Sequence, residues 1–376
     1  MKVLTLRTDW GAPEKRKREN SYGGVGYYRS IKPTEIISQK YDVTNWGKEA
    51  MHLGDTADEQ WTKVFTDFDV VWTTHLFNKM ALGWMLFAAS HFKKKLIIDI
   101  DDDFLHVEKS HYLYERFKPK AEDRTVLSTA LSLCDAITVS TAPLKDMIRE
   151  HIWEAHGIIK PIYIIPNMND TADWPKKRAK KTDEIVIGYS GSMSHNADFA
   201  LVAPQIRKIL EKHPNVIFKV LGTVASHDVP QLFRGWGSLL DRVMLFGGTD
   251  TFREYPEWLA DQHWDIGIAP LVDCSFNEKK SHIKWMEYAM HSIPTLASRR
   301  YPYYMQHEGR DTIIDGKTGM LADTPREFGD KLEELVKSQQ LRDEIGGQAN
   351  EYVVKNWQYK DGPILERFDR MMKEIR

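Results

Sequence analysis

Lys280, Lys284, Glu287 and His291 follow one another at three-to-four spacing, which lays two cations, a carboxylate and an imidazole along one face of a helix. Ile283, Met286 and Met290 fall on the opposite, core-facing side. The strand-like run Asp265–Pro270 precedes them, and a polar loop, Asp273 to Lys279, leads into a helix expected to begin near Lys280. Of the groupings that could carry chemistry, this one is the most informative. An ordinary surface ion-pair stripe has the same pattern.

A second concentration of charge is Asp99, Asp101, Asp102 and Asp103, at the end of the apolar run Leu96–Ile100. Four acids this close repel one another, so they call for a cation, a positive partner or sugar hydroxyls. A magnesium site is one reading. Acceptor binding or structural hydrogen bonding is favoured over it, because no second acidic cluster with ligand spacing accompanies the first.

Two small-residue loops could admit phosphate. Gly23, Gly24 and Gly26 follow the first strand and would open the first helix. Arg29 stands where a dinucleotide fingerprint needs its third glycine, so that fingerprint is excluded. Gly191 and Ser192, with His195 after them, end the run Ile185–Ser190. Either loop reads equally as a plain turn. The run Lys15, Arg16, Lys17, Arg18 lies between the first strand and its glycine loop, where it would attract a polyanion or simply be solvated.

Short β-rich runs alternating with helical patterns must position these groups. Strands are expected at Lys2–Leu6, Asp69–Thr73, Leu96–Ile100, Ala136–Ser140 and Ile162–Ile165. A second five are expected at Glu184–Tyr189, Val216–Leu221, Val243–Phe246, Ile266–Ala269 and Thr295–Ala297. Residues 171–183, charged and without apolar periodicity, read as a linker. That gives a first α/β domain over 1–170, a second over 184–345 and a helical tail over 346–376, possible packing of the tail on the first domain included. Open parallel sheets bind ligands beyond the carboxyl ends of their strands, so two facing sheets place a site in the cleft between them.

The chain has 376 residues, and its 52 Lys plus Arg against 54 Asp plus Glu leave a formal charge of −2. Bulk-charge binding to nucleic acid is therefore disfavoured, though a local basic patch is not. Cys134 and Cys274 lack the paired spacing of a zinc site or a disulfide framework, and the N-terminal residues lack a signal-peptide pattern. A cytoplasmic protein is expected.

In order, these segments resemble the nucleotide-sugar glycosyltransferases of the GT-B fold, specifically glycosyltransferase family four. The resemblance is carried by Gly23-Gly24, Cys134–Thr141, Ile164–Asn167, Gly188–Ser192 and Asp265–Pro270. It continues through Phe276-Asn277, Lys280-Ser281, Lys284, Glu287-Tyr288-Ala289, Ile293–Ser298 and Asp315–Gly319. It implies two Rossmann-like parallel-sheet domains facing a cleft, and a retaining transfer from a nucleoside-diphosphate sugar, foremost a UDP-sugar, without metal or other cofactor. It places Glu287 on the donor ribose; Glu287, Lys280 and Asp101 are the catalytic candidates. The donor set is Gly23, Gly24, Gly191, Ser192, His195, Asn277, Glu278, Lys280, Ser281, His282 and Glu287. The acceptor set is Tyr27, Arg29, Asp101, Asp102 and Lys15 to Arg18. The family's first signature glutamate is replaced by Lys279, and its Arg and Lys pair after Ser192 is missing. The acceptor implied is a saccharide or lipid-linked saccharide. Hydroxymethylated bases of double-stranded phage DNA, a non-catalytic polyanion scaffold and a nucleotide-sugar epimerase are the alternatives.

Overall fold

A computed structural model describes residues 1–7, 22–47, 66–109, 111–176, 182–191, 195–222, 232–249 and 251–375. The first sheet contains β1 (Lys2–Leu6), β2 (Asp42–Trp46), β3 (Val70–Thr74), β4 (Lys95–Ile100), β5 (Ala136–Val139) and β6 (Ile162–Ile164). These run parallel in the order β2-β1-β3-β4-β5-β6. The second sheet contains β7 (Ile185–Ser190), β8 (Val216–Leu221), β9 (Val243–Phe246), β10 (Ile266–Ala269) and β11 (Thr295–Ser298). After the short hairpin β12 (Gln306–His307) and β13 (Arg310–Asp311), it adds β14 (Met320–Ala322). Its order is β14-β11-β10-β7-β8-β9, also parallel.

All ten expected strands are present, within a residue or two of their expected ends. The two additional strands, β2 and β14, are sheet edges: β2 is a polar DVTNW run and β14 has three residues. β2 lacks the continuous apolar character of β3 or β10, which are buried along their whole length as strands covered on both faces must be, and β14, apolar and buried, is too short a run to stand out. Both sheets are therefore six-stranded, not five.

Strand order reverses between β1 and β3 in the first sheet, and between β7 and β10 in the second. Each reversal splays the connections apart and opens a crevice at the strand ends. The next described element after β1 is a continuous helical stretch that starts at Gly24 and ends at Ile37; its middle part, Tyr27–Ile31, is π-helical. The helix Asn196–Lys212 buries Phe199, Val202, Ile206, Ile209 and Leu210 against the second sheet, the face read from the sequence.

Residues 171–173 form a 3-10 turn, and Trp174 is buried against Phe252, Tyr255 and His291. This part of the linker is anchored between the two sheets. A helix spans Gln339–Asn356, so the boundary drawn at 345/346 falls inside it. The chain then returns to the first sheet. The helix Ile364–Glu374 puts Phe368 against Trp72 and Tyr41, and Tyr359 donates to the Tyr28 carbonyl at 2.8 Å. Among the described residues no helix is long and apolar enough to cross a membrane.

Candidate functional site

The two crevices face each other across one cavity of about 290 Å³. From the first sheet it is lined by Gly24, Val25 and Tyr28 after β1, and by Asp101 and Asp102 after β4. From the second come Ser190, Gly191 and His195 after β7, Leu271 after β10, then Lys280, Ser281, Lys284 and Glu287.

The helix bearing the polar stripe runs from Ile283 to Met290, three residues later than expected, with Lys280 and Ser281 in the irregular segment before it. The stripe is not a solvated surface: Glu287 is 6% exposed and His291 2%. Glu287 accepts hydrogen bonds from the hydroxyls of Tyr28 (3.0 Å) and Tyr255 (3.2 Å). Burial pushes its pKa up to about 7, with these two phenols and Lys284 opposing the rise. Glu287 is thus a carboxyl poised near neutrality and already in contact with hydroxyls.

Lys284 donates to Nε2 of His195 at 3.1 Å, and Nδ1 of His195 donates to Asp198 at 2.7 Å. The neutral, Nδ1-protonated tautomer satisfies both bonds. Burial, then repulsion from Lys284 and Lys280, holds the imidazole down to about 3. Asp198 in turn accepts from the Val272 amide at 2.7 Å and from the Asn277 side chain at 2.9 Å. Lys280 crosses the cavity to Asp102 at 3.4 Å and lies over the Phe276 ring. Asp101 pairs with His75 at 2.5 Å. Burial works against its ionisation, but His75 and Arg29 outweigh that and hold Asp101 below the ordinary carboxylate value. Burial and the neighbouring Asp101 charge push Asp102 the other way, against Lys280.

Several expected site residues are elsewhere. Arg29 does not reach the cavity: it is 1% exposed and forms a two-pronged pair with Asp99 at 3.0 and 2.7 Å, its remaining donors going to Ile165 and Asn167. A guanidinium so enclosed supports β4 rather than a ligand. Tyr27 turns to the linker and donates to Asp173 at 2.7 Å. The His282 ring packs edge-on against Trp357 and is not part of the lining. Asn277 is spent on Asp198, and Glu278 is exposed outside the cavity. Gly23 caps the helix start without being part of the lining. Lys279, in place of the family's first glutamate, donates to Ser275 at 2.5 Å, and its carbonyl accepts from Thr141. Ser192 and Lys15 to Arg18 lie outside the described residues. The residues not anticipated are Lys284, although its place on the stripe marked it, and Tyr28, although it follows the glycine loop; Tyr303 in the lining and Tyr255 on Glu287 carried no sequence signal.

No protein-family model and no curated protein matches the chain. Solved structures do. HepE of Anabaena, in complex with UDP-glucose, aligns with a TM-score of 0.63 over 99% of both chains at 14% identity. A glycosyltransferase from Rickettsia africae gives 0.62 over 100% of this chain and 98% of that one at 11% identity. The lipopolysaccharide outer core galactosyltransferase WaaB gives 0.53 over 99% of each at 14% identity. This chain has the GT-B fold. The cavity is therefore the interdomain cleft of a GT-B protein, and its lining residues come from the carboxyl ends of both GT-B sheets.

Proposed function

We propose that this GT-B protein transfers a sugar from a nucleoside-diphosphate sugar to a hydroxyl acceptor. The observation that carries the reading is the polarity of the cavity between the sheet crevices: Lys280, Lys284 and the Gly191 backbone come from one side, Asp101 and Asp102 from the other, and Glu287 lines it with them. HepE, similar along its whole length, was solved with UDP-glucose, which supports a UDP-sugar as donor. In this reading Glu287 accepts the ribose hydroxyls, Lys280 faces the diphosphate, and Asp101 or Asp102 orients the acceptor.

Transfer breaks the bond between the anomeric carbon and the diphosphate oxygen and forms one to the acceptor oxygen. The acceptor proton passes to the departing phosphate. A retaining outcome fits this arrangement, since the leaving group itself serves as base on the face that it leaves. The chain then supplies positioning and stabilises the charge that develops on the diphosphate.

The acceptor proposed is a saccharide or lipid-linked saccharide. A DNA acceptor rests on three basic stretches of the sequence, Lys15 to Arg18, Lys93 to Lys95 and the linker; of these, Lys93 to Lys95 stand at the amino end of β4, the opposite end of the strand from Asp101. There Lys95 pairs with Asp135 and Lys94 with Asp69. Free thiols at Cys134 and Cys274 suit a reducing compartment, which supports the cytoplasm.

The test is a turnover assay with a panel of nucleoside-diphosphate sugars, following hydrolysis or transfer, with and without glycan acceptors. Activity that falls at least a hundredfold in Glu287→Ala is expected. No turnover with any donor, together with tight glycan or DNA binding, would replace the enzyme by a scaffold.

A further inference from the structure

Lys284 is a half-buried ammonium whose hydrogen-bond partner carries no charge. Among the described residues no carboxylate lies at ion-pair distance from it; its Nζ meets only the neutral imidazole of His195, at 3.1 Å. The acids that face it are each committed to another group: Asp198 to His195, Glu287 to two tyrosines, Asp102 to Lys280. Lys280, one turn earlier, adds a second positive charge to the same wall.

The histidine explains why this arrangement is useful. A carboxylate in its place would fix the ammonium and cancel its charge. A neutral acceptor fixes the direction of one N–H and leaves the charge for something in the cavity. The chain Val272 and Asn277 to Asp198, Asp198 to His195, His195 to Lys284 holds that geometry through four residues. The loop after β7, from which the resemblance draws its two cations, contributes His195 instead.

We propose that Lys284 carries the donor's diphosphate and that His195 is the positioning residue that aims it. This rests on the donor reading above. Burial, followed by repulsion from Lys280, lowers Lys284 to about 8, while Asp198, Glu287 and Asp102 oppose the shift. An incoming diphosphate removes the repulsion and raises the value again. Above pH 8 the free protein therefore carries part of its Lys284 population uncharged, and binding takes up a fraction of a proton.

Titration calorimetry with UDP and UMP, at pH 8.5 in buffers of different ionisation enthalpy, reads both effects; GDP and ADP test other bases. The wild type is expected to prefer UDP to UMP and to take up protons with UDP. Lys284→Gln should lose about tenfold or more in UDP affinity and less than twofold for UMP. Lys284→Arg, charged at every accessible pH, should keep most of the UDP affinity and lose the proton uptake. His195→Ala should weaken UDP by a smaller factor, about threefold to fivefold. Equal UDP affinity in wild type and Lys284→Gln overturns the proposal and leaves the donor reading standing, as does an equal loss of UDP and UMP. Should Lys284→Gln not fold, proton uptake that persists in Lys284→Arg overturns it alone. A wild type that binds none of the three diphosphates overturns the donor reading and this proposal together.

Discussion

Glu287 is held in a state that suits binding better than stability. Its folded pKa of about 7 lies above the ordinary carboxyl value, so the folded protein favours the protonated acid and pays increasingly from pH 4.5 to 7 to ionise it. Above pH 7 that cost is constant; below pH 4.5 it vanishes. Glu287→Gln keeps the shape and removes the charge. We predict that it raises stability by on the order of 2 kcal/mol at pH 8 and leaves it unchanged at pH 4.5, while donor binding is lost. Urea unfolding at the two pH values checks the sign, and equal changes at both would refute the burial argument. The place of Glu287 on a polar stripe was legible from spacing alone. Its partners were not: Tyr28 stands 259 positions away, and only the facing of the two sheets brings them together. Arg29 shows the converse, since its sequence neighbourhood suggested phosphate while burial beside Asp99 gives it a structural duty.

The sheets are positioned by small residues that let aromatic rings lie directly on their strands. Gly188 in β7 and Gly267 in β10 are the two: a Cβ on the first would meet the Trp264 ring at 1.8 Å, and on the second the Tyr288 ring at 2.4 Å. Tyr288 then accepts from the Ser190 amide at 3.1 Å, which fixes the end of β7 where Gly191 lines the cavity. Gly267→Ala should force this ring outward. The expected cost is about 1 to 3 kcal/mol in urea unfolding, with a loss of nucleotide affinity, whereas Gly247→Ala, with open space around its Cβ, should change neither. Strand positions were legible because buried parallel strands are continuous apolar runs. The edge β2 escaped because a strand paired on one side only needs no continuous apolar sequence, and the edge β14, though apolar, escaped because it has only three residues. The start of the Ile283–Met290 helix differs from the sequence reading because Lys280 and Ser281 extend the polar pattern while their backbone stays irregular, and both side chains line the cavity there.

At the scale of the whole molecule, the groups assigned to the donor are already engaged by the opposite sheet. Tyr28 donates to Glu287 at 3.0 Å, Asp102 accepts from Lys280 at 3.4 Å, and Asn167 donates to Ser281 at 2.9 Å. The tail adds a further strap, since Tyr359 bonds the Tyr28 carbonyl. A donor that uses Glu287 and Lys280 must therefore exchange places with Tyr28 and Asp102, and the exchange releases Asp102 toward the acceptor side. Tyr28→Phe isolates one of these contacts. The ring stays, with its packing against Phe252 at 5.4 Å, and only the hydroxyl is lost. If the contact competes with the donor, nucleoside-diphosphate affinity should rise about twofold to fivefold, the worth of one hydrogen bond no longer broken on binding. Hydrogen exchange in the Lys32–Ile37 segment should quicken at the same time, because the helix after β1 has lost a tie to the second sheet. A fall in affinity would mean that Tyr28 itself holds the nucleotide, and the idea of lobes latched through the donor site would have to be given up.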